Sequence, residues 1–212
     1  MALEQLPRFL TTTEVANLVD YYSALPYSKE KYIDTRHGNL LQYRNKHSNY
    51  DQPDSLAHKI LYDKISAHIG KHVMDSGALL ESHYPFGLHA DAANVFKTKE
   101  FYNHNDQSID HSFLISLNGD DGMSTVFFDY FDDQYITQNL PECAEPVVWA
   151  HADQIDLSHL SVKELKFIED KKLSAVYKWH PGDAVTWPRS QLHCASNFYG
   201  TGLIKQAITL FF

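Results

Sequence analysis

The chain has 212 residues, a formal net charge of −9 at pH 7 and 43% hydrophobic residues. That length fits one decorated domain or two very small ones, with enough chain to bury a core unaided. The acidic balance argues against a general nucleic-acid binder. Two cysteines, Cys143 and Cys194, are too few for a disulfide framework, and no apolar run approaches the ~20 residues of a membrane span.

The opening stretch, MALEQLPRFL, lacks a basic region followed by an apolar one, so no signal peptide is expected there. The expectation is a cytoplasmic protein in a reducing compartment, with no membrane and no nucleic acid among its partners. Thr11 and Glu14 have the spacing of a capping box, and Val15, Leu18, Val19, Tyr22 and Leu25 follow a helical stripe, which predicts a helix over 11–25. Residues 26–54 read as polar and turn-rich, with one short strand at NLLQYR. The lysines and arginines in 29–46 read as a solvated face. A second helix is predicted over 55–72, where Leu56, Ile60, Leu61, Ile65 and Ile69 recur on one side that should lie against a sheet.

After Gly77 the texture changes to short apolar runs between turns: ALLESHYPF, HSFLISLNGDDG, MSTVFFDYF, PVVWA, AVYKWHPGDAVTWP and GLIKQAITLFF. Such spacing predicts a β barrel or sandwich. One helix interrupts near 161–170, where Ser161 and Glu164 repeat the capping-box spacing. The expected class is α+β in a single domain: N-terminal helical support over 1–76, then a β core over 77–212 with an insertion at about 130–178.

Two His-x-Asp pairs stand out, His89/Asp91 in YPFGLHADAANVF and His151/Asp153 in VVWAHADQIDLSH. In a strand, residues i and i+2 face the same way, so either pair could present an imidazole and a carboxylate together. Those donors suit Fe(II), and also Zn or Mn, but two ligands do not hold a metal firmly. A third ligand is suggested by GDAVTWPRSQLHCASN, which resembles the second cupin signature, G-x5-P-x-G-x2-H-x3-N. Gly182, Pro188, His193 and Asn197 match; Ser190 replaces a glycine. A His-x-Asp with a distant His is the facial triad of non-haem Fe(II) oxygenases.

With these segments together, residues 80–212 resemble the Fe(II)- and 2-oxoglutarate-dependent oxygenase superfamily, in its prolyl-hydroxylase-like form. YPFGLHAD resembles the Y-x-x-G-x-H-x-D entry, LISLNGDDGMSTVFFD the strand–turn–strand that follows, HPGDAVTWPRSQLHCASN the segment with the distal His, and LIKQAITLFF the closing strand. The resemblance implies a double-stranded β-helix, jelly-roll and cupin-like, with N-terminal helices packed on its major sheet. It implies that His89, Asp91 and His193 bind Fe(II) and carry catalysis, because in the family the His-x-Asp precedes the strand pair, as His89/Asp91 does. His151/Asp153 then falls in the insertion, and His151 and His159 read as surface or insert histidines.

The resemblance also implies a basic residue for the distal carboxylate of 2-oxoglutarate. Lys205 is the one basic residue after His193. Tyr84, Ser116 and Thr209 are further candidates for the co-substrate pocket, with Thr125 beside them, and Asn94 for substrate. Trp187, Phe128 and Cys194 read as core. The implied activity is hydroxylation of an unactivated C–H with O2, 2-oxoglutarate being consumed and ascorbate acting as a stimulant. The substrate is expected to be a peptide or protein residue such as proline, or else a small molecule, selected by 26–54, by the loop 97–111 and by the insertion. Rival readings are a cupin-type metalloenzyme without 2-oxoglutarate, a zinc hydrolase and a non-catalytic jelly-roll binding module.

Overall fold

The computed structural model describes residues 2–35, 37–47, 57, 59–70, 77–91, 111–120, 122–132, 140 and 155–211. Strand β1 (Glu4–Leu6) precedes helix α1 (Thr12–Ser23). Both halves of the α1 capping box form: Thr11 N–H donates to Glu14 Oε2 at 2.8 Å, and Glu14 N–H to Thr11 Oγ1 at 3.3 Å. At the other end, Lys46 Nζ donates to the Tyr22 and Ser23 carbonyls of the last turn. A π-helical turn (Lys59–Asp63) leads into α2 (Lys64–Ile69), which stops at Gly70 in the left-handed conformation.

The region 26–54 is not mainly turns. Strands β2 (Lys29–Thr35) and β3 (Gly38–His47) form a long antiparallel hairpin. Its polar texture conceals it, because charged residues alternate along the solvated positions and face one another across the ladder, as Glu30 does Arg44. The core strands are β4 (Ala78–Ser82), β5 (His111–Ser116), β6 (Ser124–Phe131), β7 (Leu173–Lys178), β8 (Ala184–Pro188), β9 (Gln191–Ala195) and β10 (Lys205–Phe211). They build two antiparallel sheets: seven strands in the order β1-β8-β5-β10-β4-β3-β2, and three in the order β7-β6-β9. Residues 1–76 therefore supply strands as well as helices. Strand β7 shows that the C-terminal part of 130–178 belongs to the small sheet. The fold is mostly β with few helices, and no helix among the described residues is long and apolar enough to cross a membrane.

Alternation along the strands sorts the side chains into three apolar groups. Phe113, Ile115, Ile208 and Leu210 of the large sheet share one cluster with Leu18 and Tyr22 of α1 and Ile60, Leu61 and Ile65 of the second helical stretch. Leu114, Val185, Trp187 and Ala207 project from the opposite face and meet Phe127 and Tyr177 of the small sheet. Val126, Phe128, Leu192 and Cys194 project from the small sheet toward Leu157, Leu160 and Ile168, where α3 (Val162–Ile168) lies. Cys194, as a core residue, thus points to the opposite side from its neighbour His193.

Candidate metal centre

Residues 86–90 run beside β9. His89 and His193 exchange backbone hydrogen bonds of 3.0 and 2.9 Å, and Ala195 N–H donates to the Phe86 carbonyl at 3.1 Å. This pairing sets the two imidazoles side by side, with ring centroids 4.2 Å apart. Asp91 follows, and one donor atom from each of His89, Asp91 and His193 lies within 4.8 Å of the others. Among the described residues this is the one cluster able to hold a metal ion.

The protonation pattern suits a metal. His89 Nδ1 is 2.8 Å from the Gly87 carbonyl, and His193 Nδ1 is 2.9 Å from the Gln191 carbonyl. A carbonyl only accepts, so each Nδ1 carries a hydrogen and Nε2 is the atom each ring can offer to a metal. Burial, helped by the neighbouring His89, pushes His193 down to about 4 despite the opposing pull of Asp91. The ring is therefore neutral, as a ligand must be. Phe127 stacks against it at 5.5 Å and Trp187 meets it edge-on at 5.2 Å.

Two hydrogen bonds hold the Asp91 carboxylate. Ser112 Oγ donates at 2.5 Å and Trp187 Nε1 at 3.1 Å, both to Oδ2. The same oxygen faces His193 Nε2, at 3.9 Å. Trp187, expected as core, is thus also a partner of the carboxylate, and Ser112 was not singled out by sequence at all. Both stand on inward positions of β8 and β5, where alternation was the one available signal. Trp187→Phe keeps the ring packing and deletes the donor. It should weaken Co(II) or Fe(II) binding about tenfold, with little change in Tm; titration of the apo-protein checks this.

Lys205 starts β10 and points between the sheets. It is 2% exposed, its Nζ donates to the Ser124 carbonyl at 2.7 Å, and the Trp179 and Phe198 rings lie 4.8 and 4.9 Å away. Among the described residues no carboxylate forms an ion pair with it, and burial pushes it down to about 7. Thr209 lies on the same face of β10 and is half-buried. Ser116 is fully buried, and its hydroxyl is matched to that of Tyr177 at 2.9 Å. Thr125 Oγ1 accepts from Trp179 Nε1 at 3.0 Å. Tyr84 is buried with its ring 5.1 Å from Tyr199; it lines a cleft of about 370 Å³ between the β2–β3 hairpin and residues 158–164. Asn94, His151 and Asp153, and most of the loop 97–111, lie outside the described residues.

His159 is an insert histidine with a fixed partner: its Nε2–H donates to the Phe86 carbonyl at 3.1 Å, next to the His89 segment, and burial lowers its pKa. Asn197 of the cupin-like signature ties the insertion down, donating from Nδ2 to Asp156 Oδ2 and Ser158 Oγ at 3.2 and 2.9 Å. Gly182 of the same signature sits at φ +87°, where a Cβ would come within 2.5 Å of the Leu10 carbonyl.

No protein-family model and no curated protein matches the chain. Solved structures do match it. The non-haem α-ketoglutarate-dependent epimerase SnoN from nogalamycin biosynthesis aligns with a TM-score of 0.60 at 12% identity, over 99% of this chain and 77% of that one. An oxidoreductase of the 2OG-Fe(II) oxygenase family from Burkholderia pseudomallei aligns at 0.55 and 11%, over 99% and 84%. HygX from Streptomyces hygroscopicus, with nickel, 2-oxoglutarate and hygromycin B bound, aligns at 0.52 and 11%, over 99% and 82%. At these identities the likeness is one of fold: the two-sheet core of this chain has the architecture of non-haem 2-oxoglutarate-dependent enzymes.

Proposed function

We propose that the chain is an Fe(II)- and 2-oxoglutarate-dependent oxygenase acting on a small molecule, in the cytoplasm. The observation that carries this reading is Lys205, a buried ammonium with no carboxylate partner among the described residues, on the inward side that also holds the triad. A buried charge is costly unless an anion joins it. The Ser124 carbonyl that Lys205 bonds lies three residues along β6 from Phe127, the ladder partner of His193. Three strand residues span roughly 10 Å, a scale that suits a short dicarboxylate lying between ammonium and metal.

The residues present fit the metal: two imidazoles whose Nδ1 atoms are taken by carbonyls, so that each offers its Nε2, and one carboxylate beside them. Fe(II) with 2-oxoglutarate and O2 supplies the oxidising power to attack an unactivated C–H, 2-oxoglutarate leaving as succinate and CO2. The chain binds, orients and keeps dry. His89, Asp91 and His193 hold the ion. The Gly87 and Gln191 carbonyls hold both rings in one tautomer, and Ser112 and Trp187 hold the carboxylate. Lys205 receives the distal carboxylate, with Thr209 beside it on the same face. Phe127 and Trp187 exclude water around His193. Of the pocket candidates, Ser116 is satisfied by Tyr177 and serves packing. Tyr84 belongs to the outer cleft. Asn94 remains a candidate for substrate.

Small molecules are favoured over peptides because the structures that share the fold include one bound to hygromycin B and one from nogalamycin biosynthesis. The experiment is anaerobic: load the apo-protein with Fe(II), add 2-oxoglutarate, and look for a visible charge-transfer band. The band should appear in the wild type and vanish in His89→Ala. Bound iron without a band would favour the cupin-type or zinc readings.

A further inference from the structure

The inserted helix reaches the metal centre through one carboxylate. Glu164 is the capping-box residue of α3: its Oε2 accepts from the Ser161 backbone N–H at 2.7 Å and from Ser161 Oγ at 2.5 Å. Its other oxygen, Oε1, leaves the helix and accepts the Leu88 backbone N–H at 2.9 Å. That N–H belongs to the peptide unit that joins Gly87 to Leu88. The opposite end of the unit, the Gly87 carbonyl, accepts the His89 Nδ1 hydrogen at 2.8 Å. Gly87 leaves room for this: a Cβ there would meet Glu164 Oε1 at 2.7 Å.

We infer that Glu164 is a positioning residue for His89, acting through the Gly87–Leu88 peptide, so that the inserted helix sets the affinity of the metal site. This inference rests on the proposed metal-binding role of the triad. A carboxylate behind a ligating histidine usually bonds the ring directly, fixing its tautomer and raising its basicity. Here a peptide unit stands between. A negative charge on its N–H end polarises the amide and makes its carbonyl a stronger acceptor. The same bond fixes the plane of the peptide, and with it the direction of the imidazole. His159, donating to the Phe86 carbonyl one residue earlier, pins the same segment. The insertion thereby does more than cover the small sheet.

Glu164→Gln separates the two duties of the carboxylate. A glutamine has one accepting oxygen, so it can serve Ser161 or Leu88 but not both. Ser161→Ala is the complement: it removes the hydroxyl partner of the cap and leaves the carboxylate on Leu88. Co(II) is titrated into the apo-protein, its absorption spectrum is followed, and Tm is measured alongside. Glu164→Gln should weaken Co(II) binding ten- to a hundredfold and alter its spectrum. Ser161→Ala should lower Tm and leave Co(II) affinity near that of the wild type. Wild-type affinity in Glu164→Gln overturns the inference. So does an equal loss in both variants, which would make the helix cap the cause. If Glu164→Gln does not fold, Gly87→Ala decides. Its Cβ displaces the carboxylate from Leu88, and native affinity in that variant overturns the inference. A wild-type chain that binds no Co(II) fails at the earlier step and removes the proposed metal function itself.

Discussion

Lys205→Met should abolish 2-oxoglutarate binding and raise the thermal stability of the protein at once. In the ligand-free fold the ammonium is buried between two aromatic rings with one carbonyl for company. Methionine fills similar volume without the desolvation cost. The Ser124 carbonyl keeps a donor, because Ser196 N–H also reaches it at 3.0 Å. A gain in Tm on the order of 5 °C is expected. The sign of the pH dependence follows from burial. Folding lowers the pKa of Lys205 from 10.5 to about 7, so the unfolded chain holds the extra proton between those values and stability rises with pH across that window. Below pH 7 the full cost of the buried charge is carried.

An arriving carboxylate reverses this balance, because it favours the charged form. Affinity for 2-oxoglutarate should therefore fall as pH rises above about 7, and binding at pH 8 should take up a proton. Calorimetry in buffers of different ionisation enthalpy reads that uptake, which Lys205→Met should lose. A variant that binds 2-oxoglutarate normally and melts earlier would make Lys205 a structural lysine held by Ser124.

His193→Ala should cost more than ~100-fold in metal affinity, since loss of a ligand exceeds loss of a partner behind one. Tm should change little: the truncation leaves a gap between Phe127 and Trp187, but it also removes a buried polar ring. His151→Ala should bind metal as the wild type does. The opposite pattern would assign the site to His151 and Asp153. Metal content after dialysis, with near-ultraviolet circular dichroism to check the fold, distinguishes these outcomes.

Local signals were strong where side chain and backbone meet within a few residues. Both capping boxes form as their spacing predicts, because Thr11/Glu14 and Ser161/Glu164 need only one helical turn to close. The apolar runs after Gly77 that fall among the described residues contain strands, because buried strands need little beyond β-branched and aromatic residues between turns; the run PVVWA lies outside those residues. The hairpin of β2 and β3 escaped, because β2 is solvated and polar residues, Gln42 and Lys46, fill the buried positions of β3. Strand β1 escaped because three residues carry no periodicity.

The candidate site divides in the same way. Spacing alone offers two His-x-Asp pairs and a distal His; the choice of His89, Asp91 and His193, and the interest in Lys205, come from the resemblance to the oxygenase superfamily. The partners of these residues are legible in neither. Ser112 and Trp187 meet Asp91, and Glu164 meets Leu88, across 21, 96 and 76 positions of sequence. No local pattern records which hydroxyl, indole or second carboxylate oxygen will arrive there. Residue types and their periodicities decide which chemistry is available and which segments become helices or strands. The sheet register and the insertion decide tautomer, orientation and unpaired charge, because hydrogen bonds over such separations exist only once the chain has folded.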